Sequence, residues 1–134
     1  MCYVCKTKFR LIHYFYHSMC PDCASFNFAK RSNSADLRGK FALVTGGRTK
    51  IGLQIVLSLV RDGCTVFTTT RFPIDALRRF SEHADWDSFK DKLNVICVDF
   101  KITESILEFC DFLKTKVPHL DIIINNACLP KTTH

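Results

Sequence analysis

A chain of 134 residues suits one ordinary domain, or one domain joined to a very small module, and 47% hydrophobic with 24% charged residues is a globular balance. The formal charge of +6 is uneven: residues 1–40 carry seven Lys/Arg against Asp22 and Asp36, whereas the remainder carries twelve basic against eleven acidic residues. No apolar run approaches the roughly 18 residues of a membrane span, and the N-terminus lacks the apolar stretch and cleavage site of a signal peptide, so no membrane partner is expected and the expected location is cytoplasmic.

The chain opens with Cys2-x2-Cys5, fourteen intervening residues, and Cys20-x2-Cys23. A two-residue spacer lets one tight turn aim two sulfurs at one ion, and two such turns close a tetrahedron. Four thiolates leave no position for water, so the predicted zinc site is structural. The alternative, two disulfides, is disfavoured without a secretory signal. His13 and His17 are substitute ligands that a four-thiolate site does not need. Between the cysteine pairs, FRLIHYFYH reads as a short hairpin rich in aromatic residues. A segment this small cannot hold itself together by its core alone, which a metal would remedy. Residues 1–29 are therefore read as a four-cysteine zinc-binding module of zinc-ribbon-like type. The basic excess belongs to this end of the chain. With Phe9, Tyr14, Phe15 and Tyr16 interleaved, it admits a nucleic acid or protein partner, or simply a solvated basic face. Cys64, Cys97, Cys110 and Cys128 are scattered and read as small buried hydrophobes.

Residues 30–39, KRSNSADLRG, read as a linker. The run from Phe41 to Gly52, FALVTGGRTKIG, then reads as a buried strand, a glycine-bearing turn and the start of a helix. That architecture sets the phosphates of a dinucleotide on a helix N-terminus. The helix extends over Ile51–Val60, with Gly63 as its stop. Cys64–Thr70 is β-branched and predicts a second strand. Pro73 opens a helix reaching about His83. Asn94–Phe100 predicts a third strand, Thr103–Val117 a third helix, and Asp121–Asn125 a fourth strand. Strands and helices in strict alternation call for a parallel sheet with right-handed crossovers.

Taken in order, Thr45-Gly46-Gly47-Arg48-Thr49-Lys50-Ile51-Gly52, Asp99 and Asn125-Asn126-Ala127-Cys128 resemble the motifs of the short-chain dehydrogenase/reductase family. The resemblance covers roughly Gly39–Cys128 and implies an NAD(P)-dependent oxidoreductase. Its fold would be α/β, a partial doubly wound parallel sheet of four strands in the order 3-2-1-4. Residues 40–134 would form an incomplete Rossmann domain. Carried over by position, the resemblance places Thr45, Gly46, Gly47, Arg48, Lys50, Ile51 and Gly52 at the adenosine side and pyrophosphate. It sets Asp99 at the adenine and Asn126 and Ala127 at the ribose, with Asn125 tying the central strands together. Cofactor choice turns on the end of the second strand, where a carboxylate would hold the 2′-OH of NAD and an arginine the 2′-phosphate of NADP. That place reads Thr68-Thr69-Thr70-Arg71, with no acid, so NADP is favoured over NAD, with Arg48 as an assistant.

Lys50 stands where the family has a glycine that lets the backbone approach the cofactor. It either obstructs that approach or offers an ammonium to phosphate, and the sequence leaves both open. Cys128 replaces the last glycine of the Asn-Asn-Ala-Gly run. The family's catalytic Tyr-x-x-x-Lys pair is not found: Tyr3, Tyr14 and Tyr16 all precede the linker, and none has a lysine four residues on. The expectation is a dinucleotide-binding half without catalytic residues. The competing expectation is a non-catalytic binding or adaptor protein acting through the zinc module. Ile122, Ile123 and Ile124 would lie on an open sheet edge and promote self-association.

Overall fold

The computed structural model describes residues 1–128. Residues 129–134 of the expected Rossmann segment lie outside the described residues. The chain divides into two compact units, Met1–Ala35 and the remainder from Asp36 onward. The expected linker, residues 30–39, is shared between them.

In the first unit the Cys20-Pro21 step starts a helix, α1 (Pro21–Ala29). Pro21 has the fixed φ suited to a first helical turn, and Asp22 complements the helix N-terminus. The hairpin expected over residues 9–17 is not formed; this stretch contains no strand. The reason is local. His13 Nδ1 accepts the backbone N–H groups of Phe15 and Tyr16, at 3.1 and 3.2 Å, and so turns the chain. The rings of His13, Tyr14 and Phe15 then pack against Phe28 of α1, with centroids 5.3–5.7 Å apart.

The second unit alternates strand and helix: β1 (Phe41–Thr45), α2 (Lys50–Arg61), β2 (Thr65–Thr70), α3 (Pro73–Ser81), α4 (Trp86–Phe89), β3 (Leu93–Cys97), α5 (Thr103–Lys116) and β4 (Ile122–Ile124). The four strands form one parallel sheet in the order β3-β2-β1-β4. Side-chain alternation along the strands divides the core between two faces. Ala42, Val44 and Val66 pack with Val56, Leu57 and Val60 of α2 and Phe80 of α3. On the other face Phe67 packs with Phe109 and Leu113 of α5, with Phe41 and Leu43 alongside. Helices on both faces explain why five of the six β2 residues are buried and why the strand reads as a continuous β-branched run.

Three features of this unit differ from expectation. The third strand ends at Cys97 rather than Phe100, because Asp99 leaves the ladder to accept the Lys101 N–H at 3.0 Å and close a turn. The short helix α4 was not expected. It is held by Phe89, fully inside the core, with Trp86 edge-on to it at 5.5 Å. Of the scattered cysteines, Cys64 is buried as expected, but Cys97, Cys110 and Cys128 are exposed. Cys97 ends its strand and Cys110 lies on the outer side of α5, so neither reaches the core despite apolar neighbours in sequence.

Candidate dinucleotide cleft and thiolate cluster

The C-terminal ends of β1, β2, β3 and β4 converge on a cleft of about 610 Å³. In an open parallel sheet, the crevice beyond the strand ends is where a ligand lodges. The reversal of strand order at β1 falls here.

Of the residues predicted from sequence, Thr45, Gly46, Arg48, Lys50, Ile51, Gly52, Arg71, Asp99, Asn126 and Ala127 all line this cleft. Gly47 does not. It packs beneath the turn, where an added Cβ would meet Thr68 Oγ1 at 2.0 Å. Gly46 has φ +71 and faces Ala127 so closely that a Cβ would come 2.9 Å from its Cα. At Gly52 a Cβ would meet the Gly46 carbonyl oxygen at 2.3 Å and Asn126 Nδ2 at 2.5 Å. These glycines therefore keep the turn against the strand end and leave the helix N-terminus open toward the cleft.

Among the described residues the tie expected of Asn125 is made by Asn126. Asn126 Nδ2 donates to the carbonyl oxygens of Thr45 and Gly46, each at 3.0 Å. The Thr45 hydroxyl completes the tie by accepting the N–H groups of Asn126 and Ala127, at 2.9 and 3.0 Å. Asn125 lines the cleft. The step from β4 into this loop decides which asparagine faces the turn, and residue type alone does not reveal it.

Three cations border the cleft. Arg48 pairs with Asp75 at 2.7 Å, and its guanidinium lies over the Phe72 ring at 5.1 Å. Arg71 leans on the same ring at 5.6 Å. Asp75 also pairs with Arg78 and Arg79. Hydrogen bonds from Arg79, Arg48 and Arg78 hold its carboxyl well below the usual carboxylate range. Sequence reasoning missed Asp75 and Phe72. The available signal was an acid in the first turn of a helix opened by Pro73.

In the first unit, the Sγ atoms of Cys2, Cys5, Cys20 and Cys23 lie within 4.8 Å of one another. Cys5 and Cys20 are 3.6 Å apart. A tetrahedral zinc with bonds of about 2.3 Å spaces its sulfurs by about 3.8 Å, so the four positions fit such an ion. Burial pushes the Cys2 thiol up, but the backbone N–H groups of Cys20, Cys5 and Val4 outweigh it and hold the thiol at about 6. The neighbouring sulfurs of Cys20 and Cys5 push Cys23 up to about 12. Cys5 is lowered as Cys2 is, and Cys20 is raised as Cys23 is, so a bound cation would favour all four as thiolates together.

The fold and the cleft together define an α/β protein with an open parallel sheet and a crevice at its strand ends. The family model described as short chain dehydrogenase matches residues 40–134, and the chain belongs to that family. An uncharacterized protein of Acanthamoeba polyphaga mimivirus is 38% identical over 131 residues; the match covers 94% of this chain and 28% of the relative, and so extends into the cysteine-bearing unit. Short-chain dehydrogenase/reductase 1 of Saponaria officinalis is 32% identical over 66% of this chain and 29% of its own length. The chain thus spans less than a third of the length of these curated relatives. Among solved structures, the RhlG/NADP active-site complex of Pseudomonas aeruginosa matches with a TM-score of 0.60 at 28% identity, covering 70% of this chain and 35% of that one. Menthone neomenthol reductase from Mentha piperita matches at 0.59 and 34% identity, covering 67% and 32%. No helix among the described residues is long and apolar enough to cross a membrane.

Proposed function

We propose that this chain supplies the cofactor-binding part of an NADP-dependent oxidoreductase, with the first unit acting as a structural zinc module. The observation that carries the reading is the cleft itself: a glycine turn at a helix N-terminus, braced by Asn126 and bordered by Arg48 and Arg71. Bound there, the cofactor would carry the hydride that this family transfers. The backbone of Gly46–Gly52 would receive the pyrophosphate, Asp99 the adenine, and Asn126 and Ala127 the ribose region. Arg71 would take the 2′-phosphate, because the end of β2 offers no carboxylate to a ribose hydroxyl. No residue of this chain is assigned a catalytic role. Cys2, Cys5, Cys20 and Cys23 would hold the zinc, whose closed coordination serves stability rather than chemistry. The test is the affinity of Arg71→Ala for both cofactors. A loss of about tenfold for NADPH with NADH unchanged supports the assignment; an equal loss for both rejects it.

A second reading, a binding or adaptor module, draws on Tyr3 and Tyr14, each more than 70% exposed, and on Lys6 over the Tyr3 ring at 4.9 Å. Cations stacked on exposed rings suit an acidic partner or nucleic acid. Salt-dependent retention of nucleic acid by the first unit's surface would favour it, and no retention at low salt would remove its support.

A further inference from the structure

Lys50 is the first residue of α2 and has φ +51, the left-handed region that favours glycine. Lys6 is the one other non-glycine residue with positive φ among those described. A side chain at such a position strains the backbone, and the family pattern places a glycine here. A lysine therefore gives up the relaxed turn that the usual residue would provide.

The surroundings of Lys50 show what its side chain can offer instead. Lys50 is exposed and lines the cleft beside Gly46, Ile51 and Gly52. Arg48, two residues earlier, is already paired with Asp75. No carboxylate or other described group pairs with the Lys50 ammonium. Among the described residues it is thus an uncommitted cation at the N-terminus of a twelve-residue helix, on the wall where the glycine turn would receive phosphate. Arg71 stands elsewhere, at the end of β2 beside Phe72. With Arg48 committed to Asp75, the cleft has one uncommitted cation at the turn and another cation, Arg71, at the end of β2.

We propose that Lys50 binds the pyrophosphate of the dinucleotide through its ammonium, and that the strained backbone at this position serves to present it. The inference rests on the dinucleotide reading above and names a binding residue that the glycine pattern of the family does not supply. The division of the cations makes it specific. A pyrophosphate contact serves NADPH and NADH alike, whereas a 2′-phosphate contact serves NADPH alone.

The experiment titrates the full chain and its Lys50→Met and Lys50→Gly variants with NADPH and NADH at low and moderate salt, and follows thermal unfolding of each. Methionine keeps the length and the strained backbone but removes the charge. Lys50→Met is expected to weaken both cofactors by the same factor, about tenfold at low salt and less as salt screens the contact. Lys50→Gly is expected to raise Tm by a few degrees as the strain is relieved. A Lys50→Met variant with unchanged or tighter binding overturns the inference, since the lysine is then a neutral or obstructing presence. A loss confined to NADPH also overturns it, by moving the contact to the 2′-phosphate. An unchanged or lower Tm in Lys50→Gly overturns the strain argument. A wild-type chain that binds neither cofactor at millimolar concentration rejects the dinucleotide reading and this inference with it, whereas wild-type binding with an indifferent Lys50→Met rejects this inference alone.

Discussion

The side-chain amide of Asn126 donates to the Gly46 carbonyl oxygen at 3.0 Å, joining the loop after β4 to the glycine turn after β1 across eighty positions of sequence. The same nitrogen reaches the Thr45 carbonyl oxygen, so one amide holds two backbone acceptors. Gly52 makes the arrangement possible, because any Cβ there would occupy the space of the bond. Replacing Asn126 with alanine leaves both acceptors without this donor and costs about 1–3 kcal/mol. Chemical denaturation checks this; a variant within about 0.5 kcal/mol of wild type would mean that the tie does not hold the two ends of the cleft together.

Asp75 predicts a pH dependence of definite sign. Its carboxyl is held below the ordinary value by Arg79, Arg48 and Arg78. A depressed folded-state value makes its contribution fully present above the unfolded carboxylate value of about 3.9. That contribution is then lost as pH falls through the lower folded value. Asp75→Asn should therefore be less stable than wild type at neutral pH, with the gap closing below about pH 4. Denaturant midpoints of the two proteins across about pH 3–7 check this, and a gap that widens on acidification contradicts it.

Removing metal should act on one unit. The four sulfurs of the first unit lie within 4.8 Å, and the chain divides into its two units after Ala35. One zinc per chain is expected, lost on Cys2→Ser. A strong chelator should abolish amide protection in residues 1–35 while β1 and β2 stay protected. Full protection of both units in metal-free protein would leave zinc without a structural role.

The edge strand β4 carries Ile123 with 60% of its surface exposed. Unpaired strand edges of this kind recruit further strands. The 134-residue chain in isolation is expected to grow in mass with concentration, and Ile123→Lys to suppress the growth. Sedimentation at several concentrations reads this directly. A monodisperse monomer would remove the edge as an association surface.

The sheet was legible because its strands are short β-branched runs bounded by glycine, proline and polar turns. Helices α2 and α5 were legible through their apolar spacing. In the first unit the four-cysteine cluster was legible from its spacing, but the conformation of the segment between the cysteine pairs was not. His13 accepting two backbone N–H groups and three rings meeting Phe28 are local hydrogen bonds and packing, and they override the strand preference of FRLIHYFYH. At the cleft, residue identities were legible from the motif, but their division of labour was not. Asn126 rather than Asn125 makes the tie, and Arg48 is committed to Asp75, because both depend on contacts between distant segments. The left-handed backbone of Lys50 was concealed by its residue type, which does not favour that conformation.

A titration of this chain with NADPH, read by the change in nicotinamide fluorescence and repeated with NADH, tests the dinucleotide cleft most directly. Saturable binding of both at one site per chain is expected, tighter for NADPH, weakened for both by Lys50→Met and for NADPH alone by Arg71→Ala. No affinity for either cofactor at millimolar concentration, in protein shown to be folded, would contradict it.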